Sequence, residues 1–553
     1  MSRNVHERAG QKARPDELVN REEMQRRYFS SPDVIKPIKN GTSGHRGTTG
    51  EAFTDLHVAA MTQALIDIRR DKGTFGPDLP AELAEAWGNR PLGPVIAGKD
   101  VRFSSDFAMQ TAAEVFAGNE MVLITQKHDR ATPTPVISRT ILRKNGQGDN
   151  VEGIILTASH NPPEEAGYKS NGRNGGPNTQ TRPIDERANY YLNHPDQIRR
   201  KDYKKSLTQG LLIEEDFQIP YVAELENVVD MPLLRDHSFA VTPLGGAAHG
   251  YYEAINNYYG TSIKVVMPGP DPTSSQKTYD WDGKLRGDPS SPYVMKALAG
   301  YRTELDVPFI GANDNDADRF GGEDGTAGIL NPNHVLAVIS NYLCHYRDWP
   351  QDRGVGRTIG TTHMLDLIAK KFGRPVYEVN VGFKYYVDGL LTGKYILAGE
   401  ESAGLSLPQM DGSTWVTEKD GIVAILLIME IMSRTGKDIG TLYAELEQQF
   451  GPHHYERIDA PATPARKKRL LELAQDPQEV ELRLGERKIA GRPVTQLVVG
   501  DGIKVVLEGG IWVLKRASGT ENIIKDYREE RGEDLRTARQ ASLEIDSLLA
   551  LPE

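Results

Sequence analysis

A chain of 553 residues is too long for one hydrophobic core, so roughly three to five domains are expected. The formal net charge of −11 excludes a general nucleic-acid or polyanion binder, while leaving room for a small anion held by local cations. The single cysteine, Cys344, excludes an intrachain disulfide and a thiolate zinc cluster, and it sits in an apolar segment that marks it as core.

The mixed-charge N-terminus (Arg8, Glu17, Glu22, Arg26) has no apolar signal core, and residues 1–35 read as a polar helical lead-in. Gly41-Thr42-Ser43-Gly44-His45-Arg46-Gly47 follows, either a flexible turn or a backbone nest that cups an anion with Arg46 adding charge. Asp55 can cap a helix carrying Val58, Leu65 and Ile68, and strand and helix signals then alternate. Val95–Ala97 reads as strand, Phe107–Phe116 as helix, Met121–Ile124 as strand, Pro135–Leu142 as helix and Val151–Leu156 as strand. This is the pattern of βαβ units and a mostly parallel sheet.

A boundary is expected near residue 205, after which the pattern restarts. Phe239–Val241 and Ile263–Val266 read as strands around a Gly250–Tyr259 helix, and Pro308–Gly311 runs into Asp314-Asn315-Asp316-Ala317-Asp318-Arg319. A third unit has helices at Val335–Leu343 and Met364–Lys371 with a strand at Thr358–Gly360. It also carries two polar loops, Val381–Lys384 and Gly399–Gly404, and a closing helix from Gly421. The longest apolar run, Ile422 to Met429, ends at Glu430, far short of the ~20 residues needed to cross a bilayer. After Gly451-Pro452, short strands at 494–499, 503–507 and 512–515 and a last helix read as an α+β domain with an antiparallel sheet. The expected division is 1–205, 206–325, 326–450 and 451–553: three α/β units and one α+β unit around a central cleft. The three α/β units suggest an architectural repeat without residue-level similarity.

Several stretches carry chemistry. Thr157-Ala158-Ser159-His160-Asn161-Pro162-Pro163 puts a hydroxyl on an abrupt turn at a strand end, since the prolines stop the ladder. In an extended segment Asp314, Asp316 and Asp318 would face one side, each adjacent pair repelling by about 4 kcal/mol at ~4 Å and an effective dielectric near 20. A cation removes that penalty, and oxygen-only ligands favour Mg²⁺. A calcium EF-hand fails, because its sixth position is Arg319 and its twelfth Gly325. Gly399-Glu400-Glu401-Ser402 offers acceptors for sugar hydroxyls and serves equally well as a helix cap. Arg516-Ala517-Ser518-Gly519-Thr520 is a compact phosphate clamp or a surface turn, and Lys384 and Lys419 are further cations.

GTSGHRG, TASHNPP, DNDADR, VGFK, GEESAG and RASGTE occur in that order along nearly the whole chain. Together they resemble the α-D-phosphohexomutases, the phosphoglucomutase and phosphomannomutase superfamily. The resemblance implies that Ser159 carries a phosphoryl group and is the fourth partner of a Mg²⁺ held by Asp314, Asp316 and Asp318. Arg46 borders the phosphoserine, Lys169 is the general acid/base with a pKa lowered by Arg46 and the metal, and His160 orients. Thr42, Ser43, Arg319, Lys384, Glu400, Ser402 and Lys419 meet the substrate, whose non-reacting phosphate is held by Arg516, Ser518, Gly519 and Thr520. Some members place a His at the position of Gly404, and its absence fits the glucose type. The implied reaction is interconversion of glucose 1-phosphate and glucose 6-phosphate through glucose 1,6-bisphosphate. A mannose or glucosamine mutase and a metal-dependent sugar phosphatase are the alternatives. A cytoplasmic monomer or homodimer with a small sugar phosphate as its partner is expected, without nucleic acid or membrane.

Overall fold

The computed structural model describes residues 5–32, 34–41, 44–76, 79–80, 83–85, 90–518 and 522–552. Four sheets follow one another along the chain, three mixed and one antiparallel. The first runs, edge to edge, Asn40–Gly41, Gly44–Thr48, Glu165–Asn171, Glu152–Leu156, Val95–Lys99, Leu123–Gln126 and Leu212–Glu215. Its last four strands are mutually parallel and its first three turn antiparallel. The second sheet orders Gly328–Ile329, Phe320–Asp324, Phe309–Asn313, Ala240–Thr242 and Lys264–Val265; the third orders Val376–Val379, Gly354–Thr358, Tyr395–Glu400 and Gly404–Ser406. Both again combine a parallel set with an antiparallel return strand.

The expected repeat is therefore one of topology. In each mixed sheet the parallel strand that borders the antiparallel part folds back through a hairpin, and that hairpin carries a polar motif: residues 157–164, 314–319 and 401–403. Each of the three loops also holds a non-glycine residue in the left-handed region, Ser159 (φ 53°), Ala317 (φ 55°) and Ala403 (φ 68°). That conformation lets the chain reverse within a few residues while its strand ends stay paired.

The fourth sheet is wholly antiparallel, ordered His453–Pro461, Ile523–Arg531, Ile511–Ala517, Ile503–Leu507, Arg492–Val499 and Lys488–Ile489. Helices at Pro464–Leu473, Pro477–Leu484 and Arg536–Leu548 cover one face of it over a separate apolar core. Its other face meets the third unit, where Ile359 packs with Trp512, Leu514 and Tyr527. There Lys504 pairs with Glu378 at 2.7 Å, and Tyr455 Oη donates to the Gly360 carbonyl at 3.0 Å.

The apolar run after Asp420 is a helix, Gly421–Thr435, buried from Gly421 to Met432 and packed against strands of both the second and third sheets. Asp420 caps it, accepting from the amides of Ile422 and Val423, and Glu430 is neutralised inside by Arg347 and Tyr342. No described helix is long and apolar enough to cross a membrane.

Four expectations change. The lead-in is helical only at Pro15–Glu17 and Arg21–Tyr28; residues 6–12 instead pair backbone to backbone with residues 278–281, and Arg8 stacks on Tyr279. Thr54, not Asp55, caps the helix Asp55–Lys72. The third-unit strand is Gly354–Thr358, shifted from the predicted span because Gly354, Gly356 and Arg357 break its apolar pattern. Arg46 lies on the paired strand Gly44–Thr48 rather than in a nest, opposite Gly167.

Candidate active site

Ser159 is buried at the end of the strand Glu152–Leu156, and its turn is held on every side. Its amide donates to Thr157 Oγ1 at 2.8 Å, and its carbonyl accepts from Asn315 Nδ2 and Arg102 Nη2, both at 2.7 Å. Thr157 donates in turn to Asp100, which also accepts from Ser105 and pairs with Arg102. These bonds offset the ~1–2 kcal/mol cost of a left-handed L-residue. They leave the Ser159 hydroxyl 2.9 Å from Asp314 Oδ2 and 3.4 Å from His160 Nδ1.

Asp314, Asp316 and Asp318 converge, each with one oxygen within 4.8 Å of the others, and all three are buried. They meet through a tight turn centred on left-handed Ala317, and not by alternation along an extended strand as expected. Burial and the neighbouring Asp316 push the Asp314 carboxyl well up, whereas Lys169 holds Asp316 well down in spite of burial. Asp316 Oδ1 and Asp318 Oδ1 are buried without a hydrogen-bond partner. Two orphaned carboxylate oxygens facing a third carboxylate fit a divalent cation with oxygen ligands, since bare proximity would be repulsive. The three residues can hold a metal ion.

The cations around this group divide into committed and uncommitted. Lys169, on the strand Glu165–Asn171, reaches Asp316 Oδ2 at 2.7 Å and Asp318 Oδ2 at 3.4 Å, while Lys419 Nζ lies 3.0 Å from Asp318 Oδ2. Burial pushes the Lys169 ammonium down, but the two carboxylates outweigh it and carry its pKa above the ordinary value. The expected lowering depended on Arg46 and a bound metal, whereas the direct ion pairs of Lys169 are with these two carboxylates. Arg319 pairs with Asp288 at 3.2 Å. Among the described residues none forms a hydrogen bond or ion pair with the Arg46 guanidinium, although Asp316 and Asp318 act on it electrostatically. Burial, with Arg319 and Arg46 nearby, drives the His160 imidazole well below its usual pKa, so it stays neutral.

Glu400 ends the strand Tyr395–Glu400, accepts the Gly382 amide at 3.2 Å and has Ser402 Oγ 3.5 Å away. Burial raises its pKa to about 7, against the pull of Lys419. Gly404 is where the Lys419 stem passes: a Cβ there would lie 2.2 Å from Lys419 Cδ. A side chain at 404 would force the Lys419 stem to shift, and with it one of the two ammonium groups that face Asp318. Lys384 lies over the Tyr385 ring, 5.2 Å from its centroid.

Arg516 donates through Nε to Asp501 Oδ2 at 2.7 Å, and the same oxygen accepts the Val381 amide at 3.2 Å. Polar contacts thus run from Arg516 through Asp501 to the 381–384 loop and from Gly382 of that loop to Glu400, while Lys419 pairs with Asp318 and acts on Glu400 electrostatically. Ser518 is buried, its amide bonded to the Ile523 carbonyl. Thr42, Ser43, Gly519 and Thr520 lie outside the described residues.

Some residues of the site carry no motif. Lys525 stands opposite Arg516 in strand register, and burial beside Arg457 and Arg516 lowers its pKa to about 8. Only cross-strand pairing brings it there, so nothing local in the sequence marks it. Asp100 and Arg102 had a weak signal, a charged pair directly after an apolar strand.

A buried serine against a carboxylate triad, with cations gathered on a separate antiparallel sheet, defines a multi-domain α/β enzyme built to handle anions at a metal-binding loop. Residues 37–190 match the model for phosphoglucomutase/phosphomannomutase alpha/beta/alpha domain I, and residues 331–450 match that for domain III. A phosphoglucomutase of Komagataeibacter xylinus is 38% identical over 542 residues, 94% of this chain and 93% of the relative. The chain belongs to the phosphoglucomutase/phosphomannomutase family of enzymes. A phosphoglucomutase/phosphomannomutase of Thermococcus kodakarensis is 26% identical, across 89% of this chain and 95% of that one. Among solved structures, the Paramecium phosphoglucomutase parafusin superposes with a TM-score of 0.72 at 21% identity, covering 94% and 97% of the two chains; it supports the fold.

Proposed function

We propose that this enzyme interconverts α-D-glucose 1-phosphate and glucose 6-phosphate through a phosphorylated Ser159. The observation that carries the reading is the Ser159 hydroxyl 2.9 Å from Asp314, inside a buried triad with two oxygens that accept no hydrogen bond. The likeness to a phosphoglucomutase along nearly the whole chain supports the choice of sugar.

Phospho-Ser159 transfers its phosphoryl group to O6 of glucose 1-phosphate: the Ser Oγ–P bond breaks, the O6–P bond forms, the freed serine oxygen takes a proton from Lys169, and Lys169 regains the proton that O6 gives up. Glucose 1,6-bisphosphate then turns over in the cleft and returns its C1 phosphate to Ser159. Asp314, Asp316 and Asp318 would hold Mg²⁺, which supplies charge neutralisation for the moving phosphoryl group. Lys169, held protonated by Asp316 and Asp318, serves as general acid toward the serine oxygen; acting as base requires that pair to open first. Neutral His160 orients the serine. Glu400 and Ser402 take sugar hydroxyls, Arg319, Lys384 and Lys419 add positive charge, and Arg46 faces the transferring phosphate.

Arg516 and Ser518, with Thr42, Ser43, Gly519 and Thr520, complete the binding of substrate. The proposed units 1–205, 206–325, 326–450 and 451–553 each supply one of these groups, and a cytoplasmic monomer or homodimer fits a small soluble substrate. The direct test is a coupled assay of glucose 1-phosphate beside mannose 1-phosphate and glucosamine 1-phosphate, with release of inorganic phosphate followed in parallel. Glucose is expected to be preferred, and release of phosphate in place of isomerisation would turn the reading toward a phosphatase.

Arg516→Ala tests the clamp. Losing charge-assisted bonds to the non-reacting phosphate costs about 1.5–3 kcal/mol each, so kcat/KM should fall by roughly one to two decades. Part of that loss comes from Asp501, left facing an anion without its cation, so adding Asp501→Asn should recover some activity. Small-angle scattering should show the wild type compacting on substrate and Arg516→Ala compacting less. Unchanged kinetics and compaction in that variant would remove the last sheet from the substrate site.

A further inference from the structure

Lys277 belongs to none of the motifs above, yet it lies one side chain away from the Ser159 backbone. It is 1% exposed, and among the described residues no carboxylate lies within ion-pair distance of it. Its ammonium donates to Asn315 Oδ1 and, at 3.1 Å, to Ser274 Oγ. Burial lowers its pKa to about 8, with Arg102 adding repulsion. A desolvated cation satisfied only by neutral oxygens is costly to keep, so its partners point to a specific use.

Asn315 supplies that use. Its amide has a donor end and an acceptor end of nearly the same shape, and either could face the Ser159 carbonyl. An ammonium is a donor only, so Lys277 compels Oδ1 to face it and leaves Nδ2 for the Ser159 carbonyl, 2.7 Å away. With the amide reversed, two oxygens would oppose each other at the turn. The Ser159 peptide is held in the left-handed region by this bond, by Arg102 and by Thr157, and its orientation aims the hydroxyl at Asp314.

The surroundings leave Asn315 little freedom. The Ala247 amide donates to its backbone carbonyl at 2.8 Å, and Gly287 approaches so closely that a Cβ there would sit 2.8 Å from Oδ1. Gly287 also donates its amide to the His160 carbonyl at 2.9 Å. On the far side, Asp271 binds the turn that delivers Lys277, accepting from Thr273, Ser275 and the Gln276 amide. The N-terminal segment then covers the stretch after it, with Lys12 bridged to Thr278 and Gly10 bonded to the Tyr279 carbonyl.

We propose that Lys277 is a positioning residue for the nucleophile, acting through the Asn315 amide to hold the Ser159 turn. The proposal rests on Ser159 being the group that carries phosphate. A misplacement of the nucleophile on the order of 1 Å costs about 100-fold. Lys277→Met, close in shape but without the donor, should therefore lower kcat by about 10- to 100-fold.

The full chain should keep its glucose 1-phosphate KM within about twofold and its melting temperature within a few degrees, which a merely structural lysine would not do. In an Asn315→Ala background the same change should cost less than about twofold, because the relay is already gone. Gly287→Ala, whose backbone lies outside the left-handed region, presses on the same amide with Lys277 in place and should reproduce the kcat loss at constant KM.

Wild-type kcat in Lys277→Met, or an equal loss with and without Asn315, overturns the proposal. If the methionine variant fails to fold, Gly287→Ala decides alone, and wild-type kcat in it is the overturning result. Turnover by Ser159→Ala would remove the nucleophile and this proposal together; a normal Lys277→Met in an enzyme that needs Ser159 removes this proposal only.

Discussion

Ser159→Ala is expected to fold normally and to lose turnover entirely. The hydroxyl makes one short bond, to Asp314, whereas the turn itself is held through the serine backbone by Thr157, Asn315 and Arg102. Alanine keeps those backbone bonds, so the melting temperature should move by no more than a few degrees. What goes is the hydroxyl that lies 2.9 Å from Asp314, from which the phosphoryl group is passed. Intact-mass analysis should show a phosphate adduct on the wild type, replenished by glucose 1,6-bisphosphate and missing from the variant. Wild-type turnover by Ser159→Ala would sink the covalent route.

Asp316→Asn should be nearly as severe, with a different signature. It removes one carboxylate charge from the metal loop and the anion that holds Lys169 at 2.7 Å, while conserving shape. Charge stabilisation of the moving phosphoryl group matters most in the transition state. kcat should therefore fall by about two to three decades with KM little changed. Excess Mg²⁺ should recover part of the loss, and EDTA should silence the wild type reversibly. Full wild-type activity with chelator present would mean that the three aspartates serve another end.

Both results test residues that stand out in the sequence, and the reason is local. Ser159 precedes prolines that force a loop, and the three aspartates would repel one another without a cation, so spacing marks both as candidates against a plain turn and a solvated acidic loop, and the resemblance to a family singles them out. How the aspartates meet was not legible: alternation implies an extended strand, but a left-handed Ala317 makes the turn. The surroundings of Lys169 were not legible for a similar reason. Its spacing behind Ser159 is visible, but whether cations or carboxylates surround it depends on a hairpin far along the chain.

The alternation of apolar strands with helices, the antiparallel character of the last part, the serine turn and the carboxylate triad were determined by the sequence alone. Each depends on side chains a few residues apart, where periodicity and like-charge repulsion act directly. Tertiary structure alone decided that Lys277 meets Asn315, that Lys525 stands opposite Arg516, that Asp501 ties Arg516 to Val381, and that the N-terminal segment packs on residues 278–281. These are pairings between distant segments, set by strand register and by which buried polar groups must find partners. A buried ammonium and an ambiguous amide acquire meaning only once the fold has placed them face to face.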